Sequence, residues 1–187
     1  MVESDQEKDW LEQSRQGDHA AFENLIRSYQ RMIHSLAYRM SGSLADAEDL
    51  AQETFIRAFQ QLSSYRGDAK FSSWLCRVAI NAGLNWRQRE ARRAEIHQQW
   101  AAEASSAEPH GEAAAKDEKS QRVQAALDRL PGPQRAAIIL TVYEEMNHAE
   151  AARLLGCSEA TVSWRVFAAR AKLKRWLKSA PRGSPGR

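Results

Sequence analysis

The stretch LLGCSEATVSWRVFAARAKLKRW, residues 154–176, decides the reading of this chain. It opens on the end of one helix, turns at Gly156-Cys157-Ser158 and continues into a long helix. Ser158 is a natural N-cap. Val162, Val166, Ala169, Leu173 and Leu177 then recur at the three-and-four spacing of one buried face. The same helix carries Arg165, Arg170, Lys172, Lys174 and Arg175, with no carboxylate beyond Glu159 at its start. Two helices joined by a tight glycine turn form a helix-turn-helix, whose second helix can enter the major groove of DNA. Ala151 and Ala152 allow the pair to pack closely. The positions expected to project near the start of the second helix are Thr161, Ser163, Trp164, Arg165, Phe167 and Ala168. Thr161 suits a phosphate, Arg165 and Arg170 suit phosphate or guanine, and the lysines, Lys172 among them, suit phosphate or solvent. A basic, solvated helix in a structural bundle is the competing reading; turn, cap and basic helix together favour DNA.

Upstream, helices are expected over about Gln121 to Leu130, Gln134 to Tyr143 and His148 to Leu155, with Pro131-Gly132-Pro133 breaking the first from the second. From Ala94 to Lys119 the pattern fails. That segment holds Ala, Glu and Ser with Pro109 and Gly111, has no large apolar residue after Trp100, and reads as a flexible linker, with fraying helix at its ends. Before it, a short helix from about Glu7 to Gln16 stops at Gly17. Asp18 caps a long helix with Phe22, Leu25, Ile26, Tyr29, Met32, Ile33, Leu36, Ala37 and Met40 inward, ended by Ser41-Gly42-Ser43. A third helix, from about Leu44 to Leu62, buries Leu50, Ala51, Thr54, Phe55 and Leu62. After a loop from Ser63 to Lys70, Ser72 can cap a fourth helix, with Trp74, Leu75, Val78 and Ala79 inward, that continues into the basic run Arg87 to Arg93. No strand alternation occurs, so the fold is all-α: two small helical bundles joined by a flexible linker, the second containing the helix-turn-helix.

The net charge of +3 conceals a pattern. Residues 1–60 carry a net −5, residues 61–93 a net +5, residues 94–119 a net −4, and the last 28 residues carry eight cations and no carboxylate. Two basic blocks separated by acidic segments suit two contacts with a polyanion and leave acidic surface for another partner. The first basic block differs from the second in kind. Asn81 and Asn85 lie one turn apart on one helix face and offer donor and acceptor together, as the Watson-Crick edge of an unpaired base requires. Tyr65 and Trp86 offer flat faces for stacking, and the arginines track phosphates. Trp74 reads as core. In DAEDLAQETFIRAF, residues 46–59, the acids partly reflect helix-start preference. Yet Asp49, Gln52, Glu53 and Ile56 continue down one exposed stripe that suits docking onto a basic helix.

No enzyme site assembles. The five histidines form no metal-ligand pair, no glycine-rich phosphate loop or nucleophile elbow occurs, and Cys76 and Cys157 lie far apart. No catalytic residue, metal or cofactor is expected. The start MVESDQEKDW lacks the pattern of a signal peptide, and no apolar run approaches a membrane span, so no membrane insertion and a reduced, cytoplasmic setting are expected.

Taken in order, GDHAAFENLIRSY, DAEDLAQETFIRAF, YRGDAKFSSWLCRVAINAGLN, LDRLPGPQRAAIIL and EAARLLGCSEATVSWRVFAARAKL resemble the bacterial sigma factors of the extracytoplasmic-function group. The resemblance spans roughly Trp10 to Arg93 and Gln121 to Leu177. It implies a region 2 domain over residues 1–93, a linker over 94–119, a region 4 domain over 120–180 and a disordered tail over 181–187. It implies a protein that binds core RNA polymerase and directs promoter-specific initiation, in a stress or signal response. Asp46, Glu48, Asp49, Gln52, Glu53 and Ile56 would then grip the clamp helices of the largest catalytic subunit. Tyr65, Arg66, Lys70, Phe71, Asn81, Asn85, Trp86, Arg87 and Arg89 would hold the melted −10 element. Thr161, Ser163, Trp164, Arg165, Phe167, Arg170 and Lys172 would read the −35 duplex, with their domain on the flap of the second large subunit. Many members are held inactive by an anti-sigma factor, which makes such a protein a further candidate partner. The sequence departs from many relatives at Trp164, in place of a small polar residue, and at Ala168, in place of arginine. A −35 sequence therefore does not carry over. The competing class is an autonomous helix-turn-helix regulator, which would need a ligand pocket or dimer face that the first half does not offer; a nuclease would need a carboxylate cluster.

The linker reading has a direct check. Limited proteolysis should cut first within residues 94–119 and leave two resistant fragments near 1–93 and 120–187, because an exposed segment without core residues is the easiest to nick. A first cut elsewhere would place the boundary elsewhere.

Overall fold

The computed structural model describes residues 5–101 and 118–179, with backbone alone for 97–101 and 179. The chain divides into two compact units, one within residues 1–110 and one within 111–187. Every regular element among the described residues is helical.

In the first unit, α1 (Asp5–Arg15), α2 (His19–Ser41), α3 (Leu44–Gln60) and α4 (Phe71–Ala101) form a bundle in which α2 packs on each of the others. The caps follow the chemistry of the sequence. The Asp18 carboxylate accepts from the amides of Ala20 at 2.8 Å and Ala21 at 3.2 Å, satisfying donors that no helical turn can. Gly42 ends α2 at φ 87°, a left-handed conformation that side-chain-bearing residues resist. The core is formed by Leu25, Ile33, Leu36, Leu50, Leu75 and Ile80, all fully buried. Helix α1 adds a polar tie: the Tyr29 hydroxyl donates to the buried Glu7 carboxylate at 2.8 Å.

Helix α4 differs from expectation at both ends. Its first turn rests on the Lys70 carbonyl, which accepts from the amides of Ser73 and Trp74, so the helix begins ahead of Ser72 and Phe71 becomes a buried first residue. At the far end it passes Arg93 and runs to Ala101. Ala, Glu and Gln are strong helix formers, and no proline or glycine interrupts them before Pro109, so the helix outlasts the core it packs on. Residues 94–101 are thus helical; the rest of the expected linker up to Asp117, and the tail over 181–187, lie outside the described residues.

In the second unit, α5 (Glu118–Asp128), α6 (Gly132–Ile138) and α7 (His148–Leu155) surround α8 (Glu159–Ser179). The helix expected to end at Tyr143 yields at Ile139 to a wider π-helical turn, Ile139–Tyr143. The run from Ala136 to Leu140 is buried on every side, so its sequence has no amphipathic period to mark the change. Asn147 and Glu150 make a reciprocal capping box at the start of α7. Gly156 ends α7 at φ 61° in open space, so glycine is needed there for its backbone and not for want of room. Ser158 caps α8 by accepting from the Thr161 amide at 3.2 Å.

One arginine holds this unit together. Arg135 is fully buried; its Nε donates to the Leu127 carbonyl at 2.7 Å and its Nη2 to the Asp128 carboxylate, which also accepts from Gln124 at 3.0 Å. A cation is thereby placed on the carbonyl end of α5, where the helix dipole favours it. Replacing Arg135 with Ala should lower the stability of this unit by about 2–5 kcal/mol, through lost packing and lost hydrogen bonds together. Native-state hydrogen exchange should show the loss in α5–α8 and leave α1–α4 protected.

Candidate nucleic-acid interface

The acidic stripe of α3 is presented largely as its spacing demands. Glu48, Asp49 and Gln52 are exposed, Ile56 keeps 52% of its surface accessible, and Asp46 sits half-buried in the first turn. Glu53 is the exception. It is half-buried and paired with Arg57 one turn on and with Arg89 of α4 at 3.2 Å. One residue of the expected polymerase stripe and one of the expected −10 set are therefore partners in the same ion pair.

Beside that pair, the loop after α3 and the exposed face of α4 enclose a groove of about 900 Å³. Its α4 wall presents Arg77, Asn81 and Asn85 at successive turns, both asparagines exposed. Its loop wall includes Tyr65, Arg66 and Asp68, and Arg57 and Gln61 close one side. Of the nine residues expected to serve the −10 element, the structure gathers Tyr65, Arg66, Asn81 and Asn85 here. Lys70, Phe71, Trp86, Arg87 and Arg89 lie outside the lining. Arg87 donates to the Met40 carbonyl at 3.4 Å and braces α4 against α2.

Tyr65 and Phe71 do not offer stacking faces. Tyr65 is 6% exposed and Phe71 1%, and their rings meet edge-on at 5.4 Å. Tyr65 donates through its hydroxyl to the Ala69 carbonyl at 2.8 Å and accepts from Arg15 at its own carbonyl. Besides the buried Tyr65, the groove is lined by Trp74, half-buried and stacked on Phe71 at 5.5 Å, although its spacing read as core. Arg57, Gln61, Arg77 and Gln88 also line it and escaped the sequence reading. The steps of four residues from Arg77 to Asn81 to Asn85 were available to find Arg77. Arg57 and Gln61 belong to another helix and its end, and only tertiary packing brings them near.

In the second unit, α8 keeps its helix-turn-helix geometry but uses several of its polar groups internally. The Thr161 hydroxyl bonds the Ser158 hydroxyl at 2.8 Å, and the Ser163 hydroxyl meets His148 Nδ1 at 2.8 Å. Arg165 reaches back to Cys157 Sγ at 3.5 Å, and Lys172 donates to Gln134 at 3.1 Å. Lys172 is thereby a tie between α8 and α6 and not a free phosphate contact. Arg170 is exposed, while Trp164 and Phe167 keep 62% and 74% of their surfaces accessible.

Comparison with known proteins matches two segments of the chain to two families. Residues 25–93 fit Sigma-70 region 2, and residues 120–173 fit Sigma-70, region 4. The ECF RNA polymerase sigma factor SigM of Mycobacterium tuberculosis is 38% identical over 161 residues, covering 86% of this chain and 79% of that protein. This chain belongs to the ECF family of RNA polymerase sigma factors. The ECF RNA polymerase sigma-E factor of Escherichia coli K12 is 33% identical over 86% of this chain and 88% of its own. Among solved structures, CnrH in complex with the cytosolic domain of CnrY matches with a TM-score of 0.67, 27% identity, and coverage of 95% of this chain and 100% of that one. RpoE of Bartonella quintana, in complex with the anti-sigma factor NepR, matches in fold at a TM-score of 0.66 and 24% identity, over 86% of this chain and 98% of that one. As an ECF sigma factor the chain is an initiation factor that directs RNA polymerase to promoters, not an enzyme and not an autonomous regulator. None of its helices among the described residues is long and apolar enough to cross a membrane.

The pairing of Glu53 separates two substitutions in this sigma factor that the stripe alone would treat alike. Glu53→Lys sets a third cation beside Arg57 and Arg89 and should cost about 1 kcal/mol of stability, whereas Asp49→Lys should cost less than about 0.5 kcal/mol. Urea unfolding of the two variants measures the difference; equal losses would mean that the pair contributes nothing.

Proposed function

We propose that the first unit holds core polymerase with one face and an unpaired promoter base with the next. The stripe of Glu48, Asp49, Gln52 and Ile56, with Asp46 at its head, docks on the clamp helices of the largest catalytic subunit. The groove beside it takes a base from the melted −10 element, with Asn81 and Asn85 reading its edge, Trp74 supplying an aromatic face and Arg66 and Arg77 meeting phosphates. The second unit sits on the flap of the second large subunit and lays α8 in the −35 duplex, where Arg165 and Arg170 contact phosphate or guanine. The protein acts in the cytoplasm, in a stress or signal response, and an anti-sigma factor that covers these surfaces is its expected negative regulator, as NepR is bound to RpoE of Bartonella quintana.

The observation that carries this reading is the groove. Two exposed asparagines one turn apart share the α4 wall with the half-buried Trp74, beside a space of about 900 Å³ also lined by Arg57, Arg66 and Arg77, which suits a single-stranded base and not a duplex edge. Asn81→Ala in the reconstituted holoenzyme should weaken binding of a −10 non-template oligonucleotide by about 1–3 kcal/mol and leave binding of core polymerase intact. Asp49→Lys should do the reverse, abolishing co-elution with core polymerase while the variant stays folded. Unchanged oligonucleotide binding in the first variant, or unchanged co-elution in the second, contradicts the assignment of that face.

A further inference from the structure

Trp164 and Phe167 are the two most exposed large apolar side chains among the described residues, at 62% and 74%. They are three positions apart on α8 and therefore neighbours on one face, with Cβ atoms about 5–6 Å apart. Their surroundings on that face are small. Ala160 and Ala168 lie one turn to either side of Trp164, and Ala171 lies one turn beyond Phe167, so the two aromatic rings project beyond their neighbours. Further along the same face come Lys174 and Arg175, both exposed. Two hydroxyls of the same turns are engaged within the domain, Thr161 with Ser158 and Ser163 with His148, while Arg165 touches Cys157 through one of its N–H groups and keeps the others. The leading end of α8 thus shows an apolar patch, and beyond Glu159 the helix carries cations and no carboxylate.

We propose that Trp164 and Phe167 form a methyl reader, which selects the −35 element by packing on the C5-methyl groups of thymines in the major groove. The proposal rests on the assignment of α8 to the −35 duplex and adds the chemistry of its choice. A polyanion with apolar points on its floor fits an apolar patch among cations. In the major groove those points are thymine methyls, since the other base edges offer only donors and acceptors. An acidic protein partner would match the cations but leave two large rings against a charged surface.

Deoxyuridine tests this directly, because it removes the methyl and keeps every hydrogen-bonding group of thymine. The holoenzyme, assembled from the full chain and core polymerase, first selects a preferred −35 sequence from a randomised promoter library. Each thymine of that sequence is then replaced by deoxyuridine on one strand at a time, and competition binding is measured. At one or two positions the replacement should weaken binding about fourfold, the worth of one buried methyl-sized group. Trp164→Ala should bind thymine and deoxyuridine promoters equally at the position it reads, and Phe167→Ala should do so at the position next to it. Equal binding of the two promoters by the unsubstituted protein overturns the proposal, as does a selected −35 sequence without thymine. A selection with no −35 preference at all refutes the assignment of α8 itself and the methyl reader with it, so the two failures are told apart.

Discussion

Arg15 lies over the buried ring of Tyr65, 5.5 Å from its centroid, and donates to the same residue's carbonyl, and the shape of the first unit's groove depends on that contact. The segment between α3 and α4 has only a short 3₁₀ turn, Leu62–Ser64, and no ladder of backbone hydrogen bonds to define it. It is defined instead by one side chain. The Tyr65 ring packs against Phe71 and Trp74, and its hydroxyl closes the loop onto the Ala69 carbonyl. Arg15 clamps it from α1, which is itself tied to α2 through Glu7 and Tyr29. Remove that anchor, and Arg66 and Asp68 lose their fixed distance from Asn81 and Asn85. A site built partly on an irregular loop needs such support, because a rigid scaffold places side chains that a free loop cannot.

The second unit solves a related problem in the same currency. Its helix α8 is long and largely solvated on one side, and its position is set by what lies beneath. Arg135, wholly buried, gathers the end of α5 by binding the Leu127 carbonyl and the Asp128 carboxylate, while Lys172 ties α8 to Gln134 on the adjoining helix α6. Arg129 then lies over the Trp176 ring at 4.5 Å and fastens the turn after α5 to the far end of α8. Cations that a sequence count credits to DNA are here divided between holding the helix and facing the solvent. Near its start two large apolar side chains, Trp164 and Phe167, are left exposed.

Much of this was legible in the residues. The caps at Asp18 and Ser158, the glycine stops at Gly42 and Gly156 and the apolar spacing of α2, α3 and α8 act locally, within one or two turns, and the structure keeps them. The paired asparagines also kept their exposed face, because helical period alone sets it. The losses have a common cause. Tyr65 and Glu53 carry polar atoms whose partners, Arg15 and Arg89, are distant in sequence, and no local rule shows that they are occupied. Lys172 is of the same kind. Trp74 erred in the opposite direction: its spacing is that of the core, but it is only half-buried and lines the groove.

The most direct test of the central claim is where the groove meets DNA. Gln61 and Gln88 both line it, both are exposed, and neither is assigned a contact of its own. A photo-crosslinking amino acid placed at either position, in holoenzyme bound to a promoter, should label the non-template strand within the melted −10 region once the open complex has formed. Labelling confined to duplex DNA further upstream, or to polymerase subunits alone, would contradict the account.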